Sequence, residues 1–132
     1  MEFSFPWPFS QGEWLAWSSA AVTVLFGVVL LFAPRISLRI LRLQTSPDHP
    51  EAVSEARATM AGFYLGVGLC CLLFGSQDLL NMALGFSWLF TAFGRAVSMM
   101  SDRGNTLYNW FALILELVLA ALPLGVTFGF LA

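Results

Sequence analysis

The chemistry of this chain concentrates in two ionisable residues, Glu116 and Arg95, which lie inside long apolar runs. Glu116 stands about nine residues into the last run, which at ~1.5 Å per helical residue puts it near the centre of a bilayer. A carboxylate there must be protonated, paired or in contact with water. Arg95 is its best partner, because its long side chain reaches toward the bilayer centre from about one and a half turns inside the preceding run. These residues predict either an ion pair that fixes helix register or a site for a substrate, a proton or a ligand.

The neighbours of Arg95 extend this polar region. Small and polar residues recur every three or four positions, which collects them on one side of a helix. They are Ser87, Thr91, Gly94, Ser98 and Asp102. Arg57, at the inner boundary of an earlier run, either extends to lipid phosphates or joins this network. The candidate buried polar site therefore comprises Glu116, Arg95, Arg57, Asp102, Thr91, Ser98 and Tyr64.

Known catalytic signatures do not occur in the sequence. Its one histidine, His49, excludes ordinary sites that need two histidines, such as bis-His haem, zinc, di-iron and copper centres. There is no nucleophile elbow, phosphate loop or pair of carboxylates. We therefore predict no catalytic, cofactor-binding or metal-binding residue, and a protein that is not an enzyme. A membrane enzyme that recruits residues from a partner chain stays open as a third alternative.

The elements that would position these residues are four apolar runs. They cover residues 14–33, 58–75, 79–100 and 107–131, each close to the ~20 residues that a helix needs to cross hydrocarbon. Composition agrees, since 58% of the residues are hydrophobic and 11% are charged. Only helices or closed barrels satisfy their backbone groups in lipid, so we predict an all-α, polytopic membrane protein. Its single domain, residues 1–132, would be an antiparallel bundle of four transmembrane helices.

The placement of arginine predicts the orientation. The chain has no lysine, four arginines between or beside the first two runs, and Arg103 between the third and fourth. Cytoplasmic loops retain such charges, so the first and third loops should face the cytoplasm. Both termini are then expected in the periplasm of a bacterium, with the protein in its inner membrane. The four arginines of the first loop region are Arg35, Arg39, Arg42 and Arg57.

Two segments outside the runs are expected at the membrane surface. Residues 35–43 combine arginine and apolar residues at helical spacing, which predicts a short interfacial helix after Pro34 ends the first span. The N-terminal segment interleaves aromatic residues with Pro6 and Pro8, so it should be non-helical and suited to the headgroup layer. The aromatic residues are Phe3, Phe5, Trp7, Phe9, Trp14 and Trp17.

Four glycines predict close helix packing. Gly62 and Gly66 form a GxxxG arrangement, Gly68 follows in the same run, and Gly94 precedes Arg95. Small residues let the backbones of membrane helices approach one another. We expect Gly62 and Gly66 to pack against a neighbouring helix of the same chain, with self-dimerisation as the alternative.

The second half of the chain carries recognisable short motifs. They are Arg57-Ala58 before Gly62-Phe63-Tyr64-Leu65-Gly66-Val67-Gly68, then Gly94-Arg95-Ala96-Val97-Ser98, then Ser101-Asp102-Arg103-Gly104, and finally Glu116-Leu117. With these motifs the last three helices resemble a family of small bacterial four-helix membrane proteins of unknown function, loosely akin to the DoxX-like group. The resemblance implies a compact four-helix bundle whose polar pattern includes Arg57, Arg95, Asp102 and Glu116. Some relatives of this type carry a phage-infection label, which implies a role at the cell surface or in import.

These observations lead to two main expectations about function. The first is a non-enzymatic inner-membrane protein that acts as an accessory or assembly partner, with the Glu–Arg pair holding its helices in register. The alternative is binding or transport of a small-molecule or lipid-like ligand at that pair, and a role in phage infection is a further alternative. The expected partners are the lipid bilayer and either another membrane protein or a second copy of the chain. Nothing in the sequence indicates a nucleic acid or a cofactor.

Overall fold

The computed structural model describes residues 5–131, and over that range it contains five helices and no strand. The predicted all-α class is therefore confirmed. The short interfacial segment expected at residues 35–43 is helical from Pro34 to Ile40. The N-terminal segment is non-helical over residues 5–10, as expected, while Phe3 lies outside the described residues. The helices are α1 Gln11–Phe32, α2 Pro34–Ile40, α3 Pro50–Leu73, α4 Asp78–Ser101 and α5 Leu107–Thr127.

Helix α1 begins at a capping arrangement that the hydrophobic pattern alone does not reveal. The Ser10 Oγ accepts a hydrogen bond from the Glu13 backbone N–H at 3.1 Å, and the Glu13 carboxylate accepts one from the Phe9 N–H at 2.9 Å. These contacts satisfy backbone donors that the first turn of a helix leaves free. The helix consequently starts at Gln11, ahead of the predicted start at Trp14.

Helix α3 changes its winding along its length. It opens with a 3₁₀ turn at Pro50–Ala52 and an α-helical turn at Val53–Glu55. A π-helical turn at Ala56–Met60 follows, and regular α-helix runs from Ala61 to Leu73. The polar first turns extend the helix before the apolar run at residue 58. Single π-helical turns often accompany functional sites, because they redirect the side chains around them.

Among the described residues, three helices, α1, α3 and α5, are long and apolar enough to cross a membrane. Helix α4 is also long, at 24 residues, but it does not reach the same hydropathy. Polar residues along it, including Asp78, Asn81 and Arg95, lower the mean. Crossing of the membrane by α4 therefore requires that those polar side chains face protein or lie at the membrane surface instead of facing lipid.

Helix α1 packs against both α3 and α5, and α4 packs along α5, whereas α3 and α4 touch much less. The buried core joins residues of all four long helices: Ala20, Cys71, Leu84, Trp88, Leu119 and Ala120. Gly68 allows the close approach of α3 to α1, since a Cβ at this position would lie 2.6 Å from the Val24 side chain. Gly85 does the same for α4, where a Cβ would overlap the Leu124 side chain of α5.

No other described helix of the chain packs closely against the other three glycines, so their part in helix packing with a second chain stays a prediction. Apart from its chain neighbours and the backbone of its own helix, a Cβ at Gly62, Gly66 or Gly94 would meet no atom of residues 5–131 within 4 Å. Gly68 lies two residues beyond Gly66, which is about 200° around an α-helix. Because Gly68 faces α1, the GxxxG pair must face away from it. The small face of α3 is open rather than covered by the same chain.

Candidate functional site

Arg95 and Glu116 form a two-pronged ion pair between α4 and α5. The Arg95 Nε donates to Glu116 Oε1 at 2.8 Å, and Nη2 donates to Oε2 at 2.8 Å. The Glu116 side chain is 7% exposed and that of Arg95 is 23% exposed. Two parallel charge-assisted bonds of this kind fix both distance and orientation, so the pair sets the register of the two helices.

Asn109 continues the pair toward the turn between α4 and α5. Its Oδ1 accepts from the Arg95 Nη1 at 2.7 Å, and its Nδ2 donates to the Gly104 carbonyl at 2.7 Å. The N-cap residue Thr106 accepts from the Asn109 backbone N–H at 3.2 Å. The guanidinium is thereby linked through one amide side chain to the backbone of the turn. The whole arrangement ties α4, the turn and α5 into one unit.

The other polar residues of α4 do not join this network. The Thr91 hydroxyl donates to the Ser87 carbonyl of its own helix at 2.8 Å, and the Ser98 hydroxyl donates to the Asp102 carboxylate at 3.0 Å. Ser87, Thr91 and Ser98 belong to the stripe whose spacing suggested a polar interior. The inward face instead carries Trp88, Ala92 and Arg95, about 100° away around the helix. The stripe lies on a side of α4 that is partly or fully exposed.

Arg57 and Tyr64 also do not take part in the ion pair. Arg57 lies in the π-helical turn of α3, is exposed, and has no ion-pair partner among the residues that the structure describes. The Tyr64 ring stacks on the Trp88 ring, with centroids 5.6 Å apart and planes 11° apart. Tyr64 therefore contributes to packing between α3 and α4.

A second buried polar chain crosses the core at Trp88. Its indole N–H donates to the Thr23 hydroxyl at 2.8 Å, which in turn donates to the Ser19 carbonyl at 2.8 Å. The Ser19 hydroxyl donates to the Leu119 carbonyl at 2.6 Å. These bonds connect α4 to α1 and α1 to α5. Both hydroxyl groups take part in these hydrogen bonds, so the series of bonds has a structural role within the core.

Sequence reasoning missed both Asn109 and Trp88. Asn109 precedes Glu116 by seven residues, and Trp88 precedes Arg95 by the same interval. A seven-residue interval keeps two side chains on one face of a helix. The same periodicity that suggested the stripe at Ser87 could therefore have identified these two residues.

An apolar groove of about 550 Å³ lies between α3 and α4, which touch each other much less than α4 and α5 do. Ala58, Gly62, Gly66 and Cys70 line its α3 wall at intervals of one helical turn. Leu80 and Ala83 line the α4 wall. Neither Arg95 nor Glu116 lines this groove, so the ion pair and the groove are separate features.

The chemistry of a metal centre is not assembled in this structure. No group of three or more His, Cys, Asp or Glu side chains that could hold a metal ion occurs within residues 5–131. Both cysteines carry free thiols, and the Cys71 Sγ contacts the Leu80 carbonyl at 3.4 Å. The polar groups of the core are engaged chiefly in joining helices.

Comparison with known proteins gives the family. No curated protein and no solved structure matches the sequence. A family model described as a domain of unknown function, DUF4345, matches residues 12–126. Because the matched residues make up most of the chain, the chain belongs to the DUF4345 family.

Proposed function

We propose that this protein is a non-enzymatic accessory subunit of the bacterial inner membrane that binds a transmembrane helix of another membrane protein. The observation that carries the proposal is the apolar groove between α3 and α4, with its open glycine face. The proposal includes four membrane-spanning helices in an antiparallel bundle, with both termini in the periplasm. The resemblance of the last three helices to a family of small bacterial four-helix membrane proteins agrees with such a compact bundle.

A fourth crossing by α4 is supported by the direction in which its side chains face. Phe86, Phe90, Phe93 and Val97 are exposed at intervals of one helical turn, which is how a lipid-facing side looks. Arg95 turns toward α5 instead, where Glu116 neutralises it. Of the polar residues that lower the mean hydropathy of α4, Asn81 and Arg95 face protein, and Asp78 is the first residue of the helix.

The antiparallel arrangement and the orientation are supported by a contact at one end of the molecule. The Arg42 guanidinium, just after α2, lies 4.7 Å from the centroid of the Tyr108 ring near the start of α5. The segment between α1 and α3 is thus beside the turn between α4 and α5, which carries Arg103. Grouping the arginine-bearing segments at one end is what the positive-inside rule requires of a cytoplasmic face.

The composition of the groove favours a helix as its occupant. Gly62 and Gly66 leave the backbone of α3 uncovered, and small residues at helix interfaces let a second backbone approach closely. On α4, Ser87 follows the groove residue Ala83 by one turn and is exposed. Hydroxyl side chains beside small residues are typical of contacts between membrane helices. Lipid tails would need neither feature.

The ion pair is better explained by register than by ligand binding. Both carboxylate oxygens of Glu116 accept from Arg95, and the third guanidinium nitrogen donates to Asn109. A ligand at Glu116 would have to displace these bonds in a place where the carboxylate is 7% exposed. Ligand binding at Glu116 is therefore the less favourable alternative, because separating a buried ion pair costs free energy.

Site-specific photocrosslinking in native membranes tests the proposal. A photoreactive phenylalanine analogue replaces Phe63, which lines the groove and is 72% exposed, or Phe111 of α5, which is 66% exposed and lies outside the groove. We expect one defined protein adduct from position 63 that is absent from position 111 and is lost when Gly62 and Gly66 are both changed to Leu. Identical adducts from both positions, or only lipid or self-adducts at position 63, would contradict an accessory role through this groove.

A further inference from the structure

The short helix α2 divides its surface into three sectors. One sector faces the bundle, a second carries arginine, and a third carries exposed apolar side chains. At about 100° per helical residue, the centres of the three sectors lie about 100–130° apart. A helix that lies on a membrane surface beside a protein needs three such sides, for protein, headgroups and hydrocarbon. The bundle-facing sector comprises Pro34, Ser37, Leu38 and the following Leu41, the basic sector Arg35 and Arg39, and the apolar sector Ile36 and Ile40.

Contacts with the rest of the chain fix the rotation of α2. The helix touches both α1 and the π-helical turn of α3. Leu38 and Leu41 pack against a small buried cluster that joins these two helices, formed by Leu30, Ala56 and Ala61. Because one sector is held against the bundle in this way, the basic and apolar sectors both face outward.

The apolar sector is suited to the acyl chain of a lipid. Ile36 is 57% exposed and Ile40, one turn later, is 63% exposed. Phe32, at the end of α1, is exposed as well. In the membrane placement proposed above, these side chains lie at the boundary between headgroups and hydrocarbon, where an interfacial helix buries its apolar face.

The basic sector carries two positive charges that the described part of the chain does not neutralise. Neither Arg35 nor Arg39 has an ion-pair partner within residues 5–131. The two Cα atoms are one helical turn apart, a rise of about 6 Å. Arg42 does not belong to this sector, because its guanidinium lies over the Tyr108 ring. Two exposed guanidinium groups at this spacing match the oxygens of a phosphate group, which arginine binds through paired hydrogen bonds.

The charge of this region favours a lipid with a net negative headgroup. Residues 34–47 contain three arginines and no aspartate or glutamate. The ammonium group of a zwitterionic headgroup would therefore find no carboxylate along this segment. An anionic headgroup brings only the charge that the two arginines complement.

We propose that α2 binds one anionic phospholipid of the cytoplasmic leaflet. Its phosphate contacts Arg35 and Arg39, and an acyl chain lies along Ile36 and Ile40. Recognition depends on the two outward sectors together, since one holds the headgroup and the other the tail. The site rests on the membrane placement proposed above, but it shares no residue with the groove between α3 and α4.

Native mass spectrometry of the full chain in an uncharged detergent tests this site, because each bound lipid adds its own mass. Phosphatidylglycerol and phosphatidylcholine with identical acyl chains are titrated separately. The test variant is Arg35→Gln with Arg39→Gln, and Lys at the same two positions keeps the charge. The charge-matched control is Arg42→Gln with Arg103→Gln, which removes two arginines outside the basic sector. Circular dichroism verifies that each variant is folded.

We expect the native chain to bind its first phosphatidylglycerol about tenfold more tightly than its first phosphatidylcholine. The ratio should fall to about one in the Gln variant and persist in the Lys variant and in the control. Equal binding of the two lipids by the native chain, or an equal fall in the control, would overturn the proposal. Displacement of phosphatidylglycerol by glycerol 3-phosphate at equal concentration would also overturn it, because the site would then bind soluble phosphates.

The apolar sector has a separate test. Ile36→Ser with Ile40→Ser should weaken both lipids by a similar factor, since both have the same acyl chains. Unchanged binding of both lipids would overturn the part assigned to this sector. The variant with Leu at both groove glycines should keep the preference for phosphatidylglycerol, so a failure of this proposal is distinguishable from a failure of the partner-helix proposal.

Discussion

Removing one partner of the Arg95–Glu116 pair should destabilise the protein far more than removing both. Replacing Arg95 by Met leaves a carboxylate that is 7% exposed without either of its two donors. Breaking a buried ion pair in this way costs about 3–5 kcal/mol. Because the Arg95 side chain is 23% exposed, part of the pair is already near solvent or headgroups, so we expect about 3 kcal/mol, the lower end of that range.

The reverse substitution should be milder. In Glu116→Gln the amide oxygen can still accept from Arg95, and Arg95 keeps its bond to Asn109 at 2.7 Å. We expect a loss of about 1–2 kcal/mol, because one of the two acceptor oxygens and the compensating charge are removed. The double variant Arg95→Met with Glu116→Leu should lose about 1 kcal/mol or less, since apolar groups of similar size replace both charges.

Unfolding by SDS in mixed micelles, followed by circular dichroism, measures these differences. The double variant should lose about 2 kcal/mol less than Arg95→Met alone, although it removes both charges. Single variants that each lose less than about 0.5 kcal/mol, or a double variant that loses the sum of the singles, would refute the structural role of the pair. Binding of the partner helix should survive Glu116→Gln, because the groove does not contain Glu116.

Four further substitutions, one of them a control, test the contacts that place the helices by the same unfolding measurement. Gly85→Ala should cost about 1–3 kcal/mol, because the new methyl group overlaps the Leu124 side chain. Gly94→Ala, whose new methyl group lies in open space, should be neutral or slightly stabilising. Equal losses of stability from the two substitutions would contradict the packing described. Trp88→Phe should cost about 1 kcal/mol through the lost bond to a buried hydroxyl of α1, and an unchanged stability would show that this bond contributes nothing. Ser10→Ala should also cost about 1 kcal/mol and shorten α1 at its start. Amide hydrogen exchange of the first turn of α1 would detect the shortening. Unchanged protection of those amides would contradict the role of Ser10 as a cap.

Much of the helical architecture follows from hydrophobic runs in the sequence. The runs near residues 14–33, 58–75, 79–100 and 107–131 each correspond to a long helix. The predicted ends of the helices are less accurate where polar residues determine the first turns. Helix α1 begins at Gln11 because Ser10 and Glu13 cap it, and α3 begins at Pro50 because its first turns lie outside the apolar run.

The direction in which each helix faces was harder to predict. Gly62, Gly66 and Gly68 are all small, and only the three-dimensional position of α1 distinguishes the covered glycine from the open pair. The polar stripe at Ser87 was likewise assigned to the interior, although hydroxyl groups can satisfy themselves on their own helix backbone. Arg95 can be identified as the partner of Glu116 from its charge, its depth in the third run and its long side chain, whereas the part played by Asn109 depends on the geometry of the turn.

The most direct test of the central claim is native mass spectrometry of the protein purified gently from its own membranes, with each retained protein identified. We predict one stoichiometric membrane-protein partner that is retained by the native chain and by Ala121→Leu, an exposed control position on α5 outside the groove. The same partner should be lost from the Gly62→Leu, Gly66→Leu double variant, whose circular dichroism should remain that of the folded chain. Retention of the partner by the groove variant, or the absence of any stoichiometric partner from the native chain, would contradict the account.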